Sequence, residues 1–153
     1  MIIRTEAELI NFGREIGQNL HVPTVIELIG DVGAGKTTFT KGLAEGLGIK
    51  DPITSPSFTI SKSYAFEKTS AQPSSGDHKL GTGFLNHYDF YRLPDPGLMQ
   101  EDLSESINDE NTVTVVEWAE SVKDILPENH RIFNITLNED GSRTIEELKW
   151  NFT

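Results

Sequence analysis

Apolar positions in the first third of the chain change period twice, and the changes mark out an α/β unit. Thr5-Glu6-Ala7-Glu8 has the form of a capping box. In such a box the Thr5 hydroxyl accepts the backbone N–H of Glu8, and the Glu8 carboxylate reaches back to the N-cap. Leu9, Phe12, Ile16 and Leu20 follow at near-helical spacing, which predicts an amphipathic helix ending near residues 19–21. Pro23 breaks that pattern. Thr24 to Ile29 (TVIELI) is short and rich in β-branched residues, as a buried central strand requires. A glycine-rich turn, Gly30 to Gly35, comes next. Lys36 to Leu47 then places Phe39, Leu43, Ala44 and Leu47 on one helical face, with Gly48 as terminator. Strand, glycine loop and helix in that order open an α/β domain.

Further along, Ser57 to Phe66 and Phe84 to Phe90 are strand-like. Between them, Glu67 to Gly83 is rich in Ser, Gly, Lys and Thr, and is expected to be a flexible loop insertion between paired strands. Gly97 to Ser106 is weakly helical and acidic. Thr112 to Val116 (TVTVV) is a strong buried strand that delivers Glu117 and Trp118 at its C-terminal end. Trp118 to Leu126 suggests a short helix stopped by Pro127. His130 to Leu137 and Ser142 to Trp150 alternate as a closing hairpin, with Asp140-Gly141 as the turn signal.

Composition narrows the chemistry. At 153 residues the chain is expected to form a single domain, residues 1–153, with a core large enough to need no covalent staple. It has no cysteine, which excludes disulfides, Cys-ligated zinc, iron–sulfur clusters and thiol catalysis. No apolar run approaches the roughly 20 residues of a membrane span, and Met1 to Glu6 lacks a secretory pattern. A cytoplasmic protein with no membrane partner is the expectation. The charge, 13 basic against 24 acidic residues for a net −11, disfavours tight binding of nucleic acid by this chain alone.

Gly30-Asp31-Val32-Gly33-Ala34-Gly35-Lys36-Thr37 fits the phosphate-loop pattern G-x₄-G-K-[ST], and it lies between a strand and a helix, the context the motif demands. The glycines let successive backbone N–H groups of Asp31, Val32, Gly33, Ala34, Gly35, Lys36, Thr37 and Thr38 face a phosphate. The helix opening at Lys36 adds its positive end. Lys36 reaches the β/γ-phosphates and the Thr37 hydroxyl joins a Mg²⁺ shell. Hydrolysis also needs a carboxylate near the metal and a means of orienting water. Glu117, ending TVTVV, and Asp89, near the end of FLNHYDF, are the two candidates for metal and catalytic roles. Thr54-Ser55-Pro56-Ser57 is placed like a switch segment, or is a plain turn into a strand. Arg92 either supplies charge to the phosphoryl group or pairs with Asp89. Trp118 stacks on a base, docks a partner or packs in the core. No [NT]-K-x-D run occurs, which favours ATP over GTP.

GDVGAGKTT (30–38), TSPSFT (54–59), HYDFYR (87–92) and VEW (116–118) occur in that order. Together they resemble the bacterial TsaE family, also called YjeE, over roughly residues 5–138. The family pattern is G-D-x-G-A-G-K-T, S-P-T-[FY], H-x-D-x-Y-R and V-E-W. The resemblance implies a P-loop NTPase-like three-layer sandwich, with a mostly parallel central sheet, antiparallel edge strands and flanking helices. It implies MgATP binding, weak hydrolysis in isolation, and docking on TsaD held by TsaB. Through that complex the family serves threonylcarbamoylation of adenosine 37 in ANN-decoding tRNAs, with tRNA met only indirectly. Carried to this chain, Lys36 and the loop bind phosphates and Thr37 binds Mg²⁺. Glu117 and Asp89 serve metal and water, Ser55 and Ser57 lie in the switch-like loop, and Arg92 and Trp118 line the neighbourhood. Ser57 stands where the family usually has Thr, keeping the hydroxyl and losing the methyl. The 67–83 insertion is longer than the family leads one to expect.

Two other classes compete. A P-loop kinase of a small metabolite would use Asp89 as base for a substrate hydroxyl, but it needs an arginine-bearing lid. The arginines here (Arg4, Arg14, Arg92, Arg131 and Arg143) do not cluster. A non-hydrolysing nucleotide-gated adaptor would need no second acid.

Overall fold

The computed structural model describes residues 1–56, 59–68 and 81–149. Its strands are β1 (Ile2–Ile3), β2 (Thr24–Ile29), β3 (Ser61–Lys68), β4 (Gly81–Asp89), β5 (Thr112–Glu117), β6 (Arg131–Leu137) and β7 (Arg143–Leu148). Its helices are α1 (Glu6–Gln18), α2 (Lys36–Gly46) and α3 (Leu98–Asn108). The strands form one sheet in the order β1-β7-β6-β2-β5-β4-β3. The β6-β2-β5-β4 centre is parallel, whereas β3, β7 and β1 add antiparallel edges. Every residue of β5 is buried, as expected for the middle of a sheet covered on both faces.

The two faces carry separate cores. Ile26, Leu28, Leu85, Val113 and Val115 pack with Leu9 of α1 and Phe39 and Leu43 of α2. Val25, Tyr88, Val116 and Leu103 of α3 pack on the other side, with Ala119, Val122 and Leu126. This is the expected three-layer α/β sandwich with a mostly parallel sheet.

Local signals placed most ends well. The Thr5 side chain accepts from the Glu8 N–H at 3.1 Å. The Glu8 carboxylate accepts from Arg4 N–H at 2.7 Å, one residue before the N-cap rather than at it. Four boundaries differ from expectation. Residues 118–126 form two 3-10 turns, Ala119–Ser121 and Lys123–Ile125, and not one helix. Strand β3 starts at Ser61, because Ile60 takes a left-handed φ of 68° that no strand accommodates. Both ends of the expected 67–83 loop are strand: pairing of β3 with β4 runs through Glu67↔Thr82 to Lys68↔Gly81, and residues 69–80 lie outside the described residues. Finally, β1 adds an edge that the pattern did not signal.

Helices α1 and α2 meet backbone to backbone. Gly13 and Gly17 on α1 face Gly42 and Gly46 on α2, and there is no room for a side chain at any of the four. A Cβ at Gly13 would lie 2.4 Å from Phe39 O, and one at Gly17 2.3 Å from Leu43 O. In return, a Cβ at Gly42 would lie 2.2 Å from Ile10 O, and one at Gly46 2.3 Å from Arg14 O. Phe12, Phe39 and Phe133 cluster beneath, with ring centroids 5.2–6.1 Å apart. This close approach fixes α2, whose first turn follows the phosphate loop.

One buried ion pair ties β2 to the start of β6. His130 Nε2 lies 2.8 Å from Glu27 Oε2, and its Nδ1 lies 2.6 Å from Pro127 O. Both partners accept, so both ring nitrogens donate and the imidazolium is the species that satisfies them. The Glu27 hydrogen bond, aided by Pro127 O, raises the His130 pKa above its ordinary 6.5 against the opposing effect of burial.

Two outcomes follow from this packing. Gly42→Ala, which would stabilise an isolated helix, is expected to destabilise the protein by about 1–3 kcal/mol through overpacking. Thermal melting checks the sign: Tm should fall by about 2–4 °C per kcal/mol, whereas a rise would deny the close approach. The His130 pair has its own pH signature. A folded pKa above the unfolded one contributes stability that is complete below about pH 6.5 and lost as pH rises through the folded value. Tm should therefore decline from pH 6 to pH 8, and Glu27→Gln should flatten that decline.

Candidate functional site

The loop at residues 30–35 joins the C-terminal end of β2 to α2, so the chain must reverse in six residues. Gly35 takes φ 116°, a conformation L side chains avoid, and serves as the N-cap of α2. A Cβ at Gly30 would lie 2.5 Å from Ile135 O on neighbouring β6. Ala34 is buried, and its carbonyl accepts Arg143 Nε of β7 at 2.7 Å. Asp31, Val32 and Gly33 are exposed at the loop crest, and Thr37 and Thr38 are half-buried in the first turn of α2.

Lys36 is buried to 7% exposure. Its ammonium donates to Gly30 O, approaches Asp31 O at 3.4 Å, and lies 4.3 Å from the Trp118 ring centroid. Burial lowers its pKa from the usual lysine value, while the carboxylates of Glu117, Asp89, Asp31 and Glu120 push the other way. One ammonium thus feels the charge of four carboxylates, a field that a polyphosphate and a divalent cation would rebalance.

Strand register brings the two expected acids there. Leu28 is paired with Glu117, and Glu117 with Asp89, so both acids stand at the strand ends beside the loop. Glu117 is 3% exposed and Asp89 6%. Asp89 Oδ1 accepts Tyr91 N–H at 2.9 Å, and Glu117 Oε1 lies 2.9 Å from His87 Nε2. Trp118 is half-buried with φ 55°, which turns its ring back over Lys36 and against Tyr91 at 4.8 Å. Arg92 is exposed, with φ 57°, and its guanidinium lies 4.9 Å from the Tyr91 ring. Three non-glycine residues with left-handed backbone (Ile60, Arg92 and Trp118) therefore sit where chain leaves or enters the sheet at this edge. Such strain gathers at functional sites.

The switch-like segment is partly visible. Thr54 Oγ1 accepts from Lys62 Nζ, and Ser55 is exposed. Ser57 lies outside the described residues. His87, Tyr91 and Arg143 also belong to this neighbourhood. The first two lay within HYDFYR and could have been found there, whereas Arg143 carried no signal.

Among the described residues no three His, Cys, Asp or Glu side chains gather into a metal cage. Two buried carboxylates and the Thr37 hydroxyl beside a phosphate loop are instead the donor set that suits Mg²⁺, which takes few protein ligands and completes its shell with phosphate oxygens and water. The residues present fit that group.

Residues 3–145 match the family described as Threonylcarbamoyl adenosine biosynthesis protein TsaE. A tRNA threonylcarbamoyladenosine biosynthesis protein TsaE from Streptomyces coelicolor is 38% identical over 117 residues, covering 76% of this chain and 71% of that protein. The protein of the same name from Haemophilus influenzae is 30% identical over 149 residues, covering 94% and 85%. The crystal structure of Bacillus subtilis YdiB superposes with a TM-score of 0.72 at 30% identity, covering 99% of this chain and 84% of that one. With matches over nearly its whole length, the chain belongs to the TsaE family of tRNA threonylcarbamoyladenosine biosynthesis proteins.

Proposed function

We propose that this chain binds MgATP at the 30–38 loop and hydrolyses it as the ATP-consuming component of t⁶A synthesis, activated by docking on TsaD held by TsaB. The observation that carries the reading is the convergence of Lys36, Glu117 and Asp89 on one loop, all three buried. The backbone N–H groups of residues 31–38 and the Lys36 ammonium bind the phosphates. Thr37 Oγ1, together with a carboxylate of Glu117 or Asp89, holds Mg²⁺, and the other acid orients the attacking water. Mg²⁺ held there would supply charge neutralisation for the transferred phosphoryl group. Trp118 closes one wall, and its ring keeps the Lys36 ammonium facing the loop. Ser55, Ser57 and Arg92 are the candidates for sensing the γ-phosphate.

Weak turnover alone follows from the charge balance. The charges of four carboxylates act on Lys36, and Arg92 is spread on Tyr91. A partner that adds positive charge or repositions Arg92 relieves this. tRNA is met through the partners, in keeping with the net −11. No helix among the described residues is long and apolar enough to cross a membrane, which accords with work in the cytoplasm.

Phosphate release from MgATP, with and without the TsaB–TsaD pair, tests the reading, and strong stimulation by the pair is expected. Lys36→Ala should abolish MgATP binding in a calorimetric titration, since the loop loses its cation. Unchanged affinity would overturn the loop assignment. Glu117→Ala should still bind ATP yet turn over at least about 10²-fold more slowly, as when one base or electrostatic group is removed. Normal turnover in that variant would shift its role to Asp89.

A further inference from the structure

His87 lies in the HYDFYR run, beside the acids but apart from the loop. It is fully buried on β4. It pairs with Val115 on β5, while Asp89, two residues on, pairs with Glu117. Alternate residues of a strand share a face, so His87, Asp89, Val115 and Glu117 all project to the α1–α2 side. His87 therefore stands one pleat behind the two acids, level with Val115 and one pleat ahead of Leu85 in the apolar core. Lys62, its neighbour across β3, directs its ammonium to Thr54 rather than to the imidazole.

Its two ring nitrogens differ. Nε2 lies 2.9 Å from Glu117 Oε1, whereas Nδ1 is buried with no partner among the described residues. A carboxylate only accepts, so the proton belongs on Nε2. A proton on Nδ1 as well would leave a charged donor buried without an acceptor, the costlier arrangement. The neutral Nε2–H tautomer is the form that fits. It fixes one oxygen of Glu117, and the second oxygen has no hydrogen bond among the described residues.

We propose that His87 is a positioning residue for Glu117: its Nε2–H holds one carboxylate oxygen so that the other stays presented to the metal or the attacking water. The partners of metal-site and catalytic carboxylates act in this way, and their loss typically costs about 10–100-fold. A buried polar residue retained next to an apolar core, with half its hydrogen-bonding capacity unused, has no packing advantage over Leu at the same place. That imbalance is what points to a task beyond packing.

This inference rests on the reading of Glu117 as a working acid, and the test separates the two. His87→Leu removes the donor, and His87→Gln supplies an amide N–H in its place. In the TsaB–TsaD-stimulated assay, His87→Leu is expected to lower kcat by about 10–100-fold with nucleotide affinity unchanged. His87→Gln should recover most of that loss. His87→Leu should cost nothing further in a Glu117→Gln background. Equal losses in the Leu and Gln variants, or full additivity with Glu117→Gln, would overturn the proposal. Normal turnover in Glu117→Gln alone would instead break the underlying reading of Glu117. Nitrogen-15 NMR of the unaltered protein checks the hydrogen bond without any assay: His87 should show a protonated Nε2 and a bare Nδ1. A bare Nε2 would contradict it, even if the Leu variant did not fold.

Discussion

Parallel pairing of β2, β5 and β4 sets the relative positions of three chain segments that are far apart in sequence. The ladder places Leu28 opposite Glu117 and Glu117 opposite Asp89. A slip of one residue in either pairing would turn a carboxylate to the other face of the sheet, into the apolar packing around Tyr88 and Val116. The complete burial of β5 guards against such a slip, because each of its residues is matched to a core on one side or the other. The register therefore acts on chemistry directly: it decides whether two acids and one ammonium share a space.

The loop itself is held from behind. Contacts at Gly13, Gly17, Gly42 and Gly46 press α2 onto α1, and Arg143 reaches from β7 to the Ala34 carbonyl. The Ala34 carbonyl is thereby engaged on the outer side, while the Ala34 N–H closes a turn onto Asp31 O within the loop. On the inner side, left-handed backbone at Trp118 and Arg92 turns aromatic and guanidinium groups back along the sheet edge. Rigid support behind and strained residues in front suit a site whose occupant is held fixed while its surroundings respond to a partner.

Legibility in the sequence followed how local each cause was. The phosphate loop, the Thr5 cap and the TVIELI strand depend on neighbours in the chain, and pattern alone placed them. Glu117 and Asp89 were legible as strand-end acids because buried apolar runs led up to them. Strand order was not, since the pairing of β2 with β5 joins residues nearly ninety positions apart in sequence. His87 lay within HYDFYR, but its task was not legible there, because its partner Glu117 stands on another strand. The glycines of α1 and α2 read only as weak helix formers, because the backbone they admit belongs to another element. The 118–126 stretch misled because its apolar spacing suits a helix, while the left-handed turn at Trp118 begins a tighter path.

Loop, lysine and both acids are proposed to act on one bound nucleotide. A crystal structure with Mg²⁺ and a non-hydrolysable ATP analogue tests it most directly. The β- and γ-phosphates should sit within residues 30–38, with Lys36 Nζ on a phosphate oxygen instead of Gly30 O. The metal should lie at Thr37, with Glu117 or Asp89 in contact with it or with its bound water. Nucleotide bound elsewhere, or a metal remote from both acids, would contradict the claim.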